Sequence, residues 1–148
     1  MNELRLGRYQ DVLADVHCDL LCVDAPYSAK THQGHESALA KVSLWKGKPS
    51  QRMFSEGRQS IKYSAWSKSD VESFVEWWGP RTRGWIVSIT DHALAPVWAS
   101  AMESVGRYVF APMPLVETGS RVRLSGDGPS TWTCWIVVAR PRHVPYSK

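Results

Sequence analysis

Alternating apolar and polar stretches along the chain predict strands that are separated by helices and loops. Residues 18–25 are apolar for most of their length, which is typical of a strand covered on both faces in a parallel sheet. The polar residues 24–27 follow at its carboxyl end. Residues 84–90 predict a second strand of the same kind, and residues 107–116 and 131–140 predict two more strands that are joined by a loop.

Two segments carry apolar residues at helical spacing. The first is predicted to begin at a capping box over residues 69–72 and to end at Gly79 and Pro80. The second is predicted to begin near residues 93–95, because the proline that follows is compatible only with the first turn of a helix, and to end at Gly106. Each helix therefore connects two consecutive strands.

The order of these elements predicts an α/β fold in a single domain over residues 1–148. A strand, a long loop and then helices alternating with strands predict a mostly parallel, Rossmann-like sheet with right-handed crossovers. The last two strands have no helix between them, so we expect them to form an antiparallel pair. Ligands bind such sheets beyond the carboxyl ends of the strands, which predicts that residues 24–27 and Asp91 lie at the same edge.

The charge distribution singles out residues 28–68 as a basic loop that is inserted after the first strand. The formal net charge of the chain is +4, and this loop alone holds eight lysines and arginines against Glu36 and Glu56. A basic segment with interleaved aromatic residues is typical of contact with a polyanion. The charge alone fits a solvated loop equally well.

The sequence disfavours several other classes of protein. No apolar run long enough to span a membrane and no leader peptide are visible, which favours a cytoplasmic protein. Three cysteines, an odd number, fit reduced thiols better than a disulfide framework. His32 and His35 have the spacing H-x-x-H, but a zinc site usually needs a second pair of ligands, so we expect no metal site.

The tetrapeptide Asp24-Ala25-Pro26-Tyr27, after an apolar strand and before a long loop, resembles the D-P-P-Y motif of amino-group DNA methyltransferases. The upstream sequence "LRLGRYQDVLADVHCDLLCVDAPY" is similar to the short strand, glycine turn, small helix and aspartate-led strand of that family. Downstream, the capped helix, the strand ending in "SITDH" and the "GRYVFAP" strand resemble the target-binding half of the same fold. The resemblance covers most of the chain, and it implies a partial methyltransferase sheet.

This resemblance implies a site-specific enzyme that transfers a methyl group from S-adenosylmethionine to the exocyclic amine of a flipped base, with adenine N6 favoured by the acid at the first position. Asp24 is the implied side-chain acceptor for the amine, the carbonyl of Ala25 the second acceptor, and Tyr27 the ring on which the base stacks. Pro26 completes the motif. Ala25 stands where the family usually has its first proline, so the fixed φ of proline is lost there.

The basic loop is expected to contact DNA. Lys30 is the first choice for a phosphate partner, because it is close to the tetrapeptide. Asp91 and His92 are secondary candidates that could line the same crevice, although Asp91 is equally well suited to cap a helix. The candidate DNA-binding residues are Lys30, His32, His35, Lys46, Lys48, Arg52 and Arg58.

The sequence does not show the cofactor half of a methyltransferase, so the residues that bind S-adenosylmethionine stay unassigned. Gly126-Asp127-Gly128 precedes a strand instead of linking a strand to a helix, which predicts a loop. In permuted members of the family the cofactor half follows the target-binding half, and the chain ends at Lys148, about where that half would begin. We expect an incomplete domain: a fragment, a subunit completed by a homodimer or a partner chain, or a decayed product that retains DNA binding.

Overall fold

A computed structural model describes residues 3–33, 62–116 and 133–142. In this part of the chain a five-stranded sheet is accompanied by helices. The elements are α1 (Tyr9–Val12), β1 (Cys18–Asp24), α2 (Lys68–Trp78), β2 (Thr82–Thr90), α3 (Ala95–Ser104), β3 (Arg107–Val109), β4 (Met113–Val116) and β5 (Thr133–Pro141). Residues 29–33 are also helical.

The sheet is mixed, with the strand order β1-β2-β5-β3, and β4 also pairs with β5. Strands β1 and β2 are parallel, whereas β2, β3 and β4 are each antiparallel to β5. Strands β1 to β4 therefore run in one direction and β5 in the other. The predicted α/β class and the predicted antiparallel pairing of the last two strands along the chain are confirmed. The insertion of β5 between β2 and β3 is a feature that the order of elements alone does not predict.

The predicted strand over residues 107–116 is divided into β3 and β4, which lie one after the other along the same edge of β5. The division falls at residues 110–112. Pro112 has no N–H to donate to the ladder, which interrupts regular pairing there.

The predicted start of the first helix was wrong by two residues. The capping box is formed by Ser67 and Asp70: the Ser67 hydroxyl accepts from the Asp70 N–H, and the Asp70 carboxylate accepts from the Ser67 N–H at 2.8 Å. Ser67 has the extended backbone that such a position requires, whereas Ser69 already lies inside α2. The start of α3 at Ala95 and the end of α2 before Gly79 are confirmed.

The core lies between the two long helices and one face of the sheet. Trp98 of α3 is fully buried, and it packs together with Phe74 of α2 and with buried residues of β2 and β5 such as Ile86 and Val137. Burial of a large apolar side chain stabilises a fold by roughly 1.5 to 3 kcal/mol. The two helices therefore cover one face of the sheet and hold its strands in position.

The opposite face of the sheet carries exposed apolar side chains. Leu20, Trp85 and Met113 are each about half exposed, and the rings of Trp85 and Phe110 stack on each other with their centroids 5.6 Å apart. Because side chains alternate along a strand, Asp24 belongs to the same face of β1 as Leu20. The acidic residue of the tetrapeptide is thus directed away from α2 and α3.

Strands β1 and β2 approach each other closely at Gly84. A Cβ atom at Gly84 would collide with the carbonyl oxygen of Asp19, and the register of the two strands shifts between Cys18 and Leu20 at the same level. Only glycine leaves room for this approach. The position of β1, and of Asp24 at its tip, therefore depends on the absence of a side chain at Gly84.

We expect Gly84→Ala to lower the free energy of unfolding by about 1 to 3 kcal/mol, since the added methyl group must push β1 away from β2. Urea unfolding measures this change. Ser100→Ala, on the exposed surface of α3, is the matched control and is expected to change the stability little. Equal stability of Gly84→Ala and the wild type would contradict this account of the strand pair.

Candidate functional site

An open depression of about 330 Å³ lies at the carboxyl end of β1. It is lined by Asp24, Ala25, Pro26, Tyr27 and Tyr63. The four residues of the tetrapeptide thus converge on one surface, together with a tyrosine from the far end of the basic loop. The volume is at the lower end of the range typical of small-molecule sites.

The carboxylate of Asp24 is available to a ligand. Asp24 is the last residue of β1, is paired in register with Ile89 of β2, and has an exposed side chain. Within the part of the chain that the structure describes, no side chain or backbone N–H donates to this carboxylate, and it forms no ion pair. Its oxygens can therefore accept hydrogen bonds from a bound group without displacing a protein partner.

Tyr27 is held at both its backbone and its hydroxyl. Its carbonyl oxygen accepts a hydrogen bond of 3.0 Å from the N–H of Trp66, and its hydroxyl lies 3.3 Å from Sγ of Cys134. Burial raises the pKa of Tyr27 above its usual value, and the hydrogen bond with Cys134 acts in the same direction. The ring therefore remains a neutral phenol, and it is partly exposed in the depression.

Trp66 brings the end of the basic loop back to the tetrapeptide. Ser28 and Trp66 form an isolated parallel bridge, and the Trp66 ring stacks on buried Trp98 at 6.1 Å between centroids. This anchoring positions Tyr63, three residues earlier, in the depression. The ring of Tyr63 also contacts the ring of His32 edge to face at 5.2 Å.

Asp91 is buried and does not line the depression. Its side chain connects the residues that follow β1 with those that follow β2, and we call this set of hydrogen bonds the Asp91 clamp. Its carboxylate accepts from the backbone N–H of Ser28 at 2.9 Å and from the hydroxyls of Ser28 and Thr31 at 2.5 Å each. Its other oxygen accepts from the N–H groups of Ala93 and Leu94 at 3.1 and 2.9 Å, just before α3. Of the two predicted roles, the structure supports a cap-like role with an additional link to the residues after the tetrapeptide.

Two opposing effects act on the pKa of Asp91. Burial raises it, but the hydrogen bonds from Ser28, Thr31 and Leu94 outweigh burial and hold the pKa below its usual value. The carboxylate is therefore ionised at neutral pH although its residue is only 5% exposed.

The other predicted site residues are spread out or lie outside the described residues. Lys30 is exposed on the helical turn after the tetrapeptide, His32 is half-buried, and His92 is exposed and does not line the depression. His35, Lys46, Lys48, Arg52 and Arg58 lie outside the described residues.

Sequence reasoning missed Tyr63 and Cys134. Tyr63 belongs to the loop whose function was assigned from charge, and the only sequence signal for it is its position just ahead of the helix that returns the chain to the sheet. Cys134 follows Tyr27 by 107 residues, and no local pattern joins them. Contacts between distant segments become visible only when the strand order is known.

Over residues 3–33, 62–116 and 133–142, no group of three or more histidine, cysteine or acidic side chains is arranged to bind a metal ion. All three cysteines are free thiols. No helix in this part of the chain has the length and apolar character needed to cross a membrane.

We expect the clamp formed by Asp91 to make stability depend on pH. Because the folded-state pKa is lowered, the stabilisation by Asp91 is present above the unfolded-state pKa and is lost as the pH falls through the folded-state pKa. Asp91→Asn should therefore be less stable than the wild type by about 1 to 3 kcal/mol near neutral pH. This difference should shrink as the pH falls below about 4, the ordinary pKa of an aspartate.

Chemical unfolding at a series of pH values measures the difference between the two proteins. Asp11→Asn, on the exposed surface of α1, is the control and is expected to change stability little at each pH. A difference between wild type and Asp91→Asn that stays constant over this range would show that the carboxylate charge does not contribute.

Comparison with known proteins adds no relative from which a function can be transferred. The chain matches no protein-family model, no curated protein and no solved structure.

Proposed function

We propose that this chain is the target-base half of an S-adenosylmethionine-dependent DNA methyltransferase that acts on adenine N6. One observation carries the proposal: all four residues of the D-A-P-Y tetrapeptide line a single open depression, in which an unpartnered carboxylate lies next to a partly exposed aromatic ring. The sheet adds support, because four of its strands run in one direction and the last two predicted strands pair antiparallel, as expected for a partial methyltransferase sheet.

The chemistry of an exocyclic amine explains the need for these groups. The lone pair of such an amine is delocalised into the base, so the amine is a poor nucleophile until its hydrogens are held by acceptors. In this proposal the Asp24 carboxylate and the Ala25 carbonyl are those acceptors. They are fixed by the end of β1 before the base arrives, so they act through orientation and electrostatics.

Two tyrosines provide the aromatic surface for an extruded base. Tyr27 is held in position by Trp66 and Cys134, and Tyr63 lines the same depression. Stacking of a base on an aromatic side chain contributes roughly 1 to 3 kcal/mol, and a hydrogen bond to an ionised group contributes roughly 1.5 to 3 kcal/mol. Together these contributions offset the few kcal/mol that extrusion of a base costs.

The described residues do not form a site for the methyl donor, whose sulfonium would supply the methyl group. The described glycines have other roles: Gly84 lets two strands approach, Gly79 and Gly106 follow helices, and Gly7 lies against Val12. None of them forms a cradle beside the depression. We propose that S-adenosylmethionine is bound outside the described residues, by another part of the same protein, by a partner chain or by a second copy of this chain.

Two features of the sheet support such a partner. Strand β1 is an edge strand in the described sheet, and the face next to it exposes Leu20 and Trp85. An unpaired edge beside an exposed apolar face is typical of an interaction surface.

We propose a cytoplasmic location, which agrees with free thiols and with DNA as the substrate.

A non-catalytic DNA-binding module, or a decayed enzyme, is the second candidate. The basic composition of residues 28–68 favours it independently of the tetrapeptide. In that case DNA affinity would not depend on Asp24, and no methyl transfer would occur with any partner.

We expect Asp24→Asn to lower methyl transfer at least about 100-fold, because the carboxylate orients the amine. The affinity for DNA that lacks the target base should change by less than about threefold, because the carboxylate does not contact phosphates. Transfer of labelled methyl groups from S-adenosylmethionine to DNA, together with filter binding, measures both quantities in the protein complemented by its partner. Asp19→Asn, an exposed acid at the other end of β1, is the matched control and should retain activity.

Equal activity of Asp24→Asn and Asp19→Asn would contradict the catalytic assignment. Complete absence of methyl transfer in the wild type, with DNA binding retained, would favour the non-catalytic module.

We expect Lys30→Ala to weaken binding to duplex DNA about equally for different sequences and to reduce the slope of log K against log salt by about one, since one phosphate contact is lost. Binding measured at several salt concentrations tests this. Lys68→Ala is the control, because Lys68 is exposed but lies 3.6 Å from Glu72. An unchanged salt dependence for Lys30→Ala would remove Lys30 from the DNA interface.

A further inference from the structure

Cys134 connects the far side of the sheet to the tetrapeptide. It lies on β5 and pairs in register with Leu115 of β4. The next residue, Trp135, pairs with Thr90 of β2. Cys134 is therefore carried by a strand that has neighbours on both edges, which gives its thiol a fixed place in the fold.

The Cys134 thiol contacts the hydroxyl of Tyr27, which is the only polar atom of that side chain. Sγ of Cys134 lies 3.3 Å from the Tyr27 hydroxyl, within hydrogen-bond distance for sulfur, and either atom can donate. Both residues are half-buried. Rotation about the Cα–Cβ bond of Tyr27 would carry the hydroxyl away from Cys134, so this contact favours one side-chain rotamer and restricts the direction in which the ring points.

We propose that Cys134 is a positioning residue that sets the orientation of the Tyr27 ring before a base binds. The inference rests on the proposed function, in which this ring is the stacking surface. A ring already held in its bound orientation loses less conformational entropy when a base stacks on it, so binding is tighter. The tetrapeptide thus depends on a residue of the antiparallel strand that is inserted into the sheet.

The two hydrogen-bond partners can be removed one at a time. Tyr27→Phe removes the hydroxyl and keeps the ring, Cys134→Ala removes the thiol, and Cys134→Ser keeps a hydroxyl in its place. Cys22→Ala removes an exposed thiol of β1 and is the matched control. Urea unfolding of each variant establishes that it is folded.

The probe is a single-stranded oligodeoxynucleotide that contains one 2-aminopurine, whose fluorescence is quenched by stacking. The same oligonucleotide with an abasic site at that position reports the affinity for the backbone alone. Affinity is measured by fluorescence anisotropy of an end label, and stacking by the quenching of 2-aminopurine at saturation.

We expect Tyr27→Phe and Cys134→Ala each to weaken binding of the 2-aminopurine oligonucleotide about fivefold, with less quenching. The double variant should bind no more weakly than either single variant, since both changes remove the same hydrogen bond. Cys134→Ser should recover most of the affinity, Cys22→Ala should resemble the wild type, and all variants should bind the abasic oligonucleotide alike.

Several results would overturn the inference. Additive losses in the double variant, or an equal loss with the abasic oligonucleotide, would mean that Cys134 has only a structural role. Wild-type quenching that persists unchanged in Cys134→Ala and in Tyr27→Phe would refute the positioning role while leaving the proposed function intact. Absence of base-dependent binding and quenching in the wild type would refute the proposed function, and the inference with it.

Discussion

The candidate site depends on the hydrogen bonds that the buried carboxylate of Asp91 accepts. One oxygen accepts hydrogen bonds from Ser28 and Thr31, just after the tetrapeptide, and the other accepts from backbone N–H groups ahead of α3. A charged group this deeply buried is tolerated only when donors surround it. The donors that stabilise the charge follow β1 and β2 in the chain. The same hydrogen bonds therefore hold the ends of these two parallel strands in a fixed relative position.

Three distant segments of the chain form or support the depression around this clamp. The tip of β1 contributes the tetrapeptide and the stretch before α2 contributes Tyr63, whereas β5 does not line the depression and acts through the contact between the Cys134 thiol and the Tyr27 hydroxyl. Trp66 links the second segment to the core through its ring contact with Trp98. An aromatic core that stabilises the helices thus also determines where the walls of the site lie.

Much of the fold could be predicted because it follows from local patterns. The periodicity of apolar residues and the position of Pro96 in the first turn of α3 indicated the helices, and the order of elements indicated an α/β sheet whose last two strands pair antiparallel. The capping box was displaced because several serines stand near the start of α2, and only backbone geometry distinguishes Ser67 from Ser69. Local sequence patterns predict the type of an element more reliably than the residue at which it begins.

The site was predicted in part for the same reason. Asp24 and Tyr27 are adjacent in sequence to a strand end, so their convergence on one surface could be expected. The roles of Tyr63 and Cys134 depend on long-range pairing, and the choice between crevice and cap for Asp91 depends on which donors surround it. Such partners are determined by tertiary structure, not by spacing along the chain.

Photocrosslinking of DNA that contains a single 8-azidoadenine, followed by identification of the modified peptide, tests most directly whether a base occupies the depression. If a base occupies the depression, the label attaches at Tyr27 or Tyr63, and an excess of unlabelled single-stranded DNA suppresses the attachment. Attachment confined to other surfaces, such as the exposed Trp85 and Phe110 pair, would contradict binding of a base in the depression.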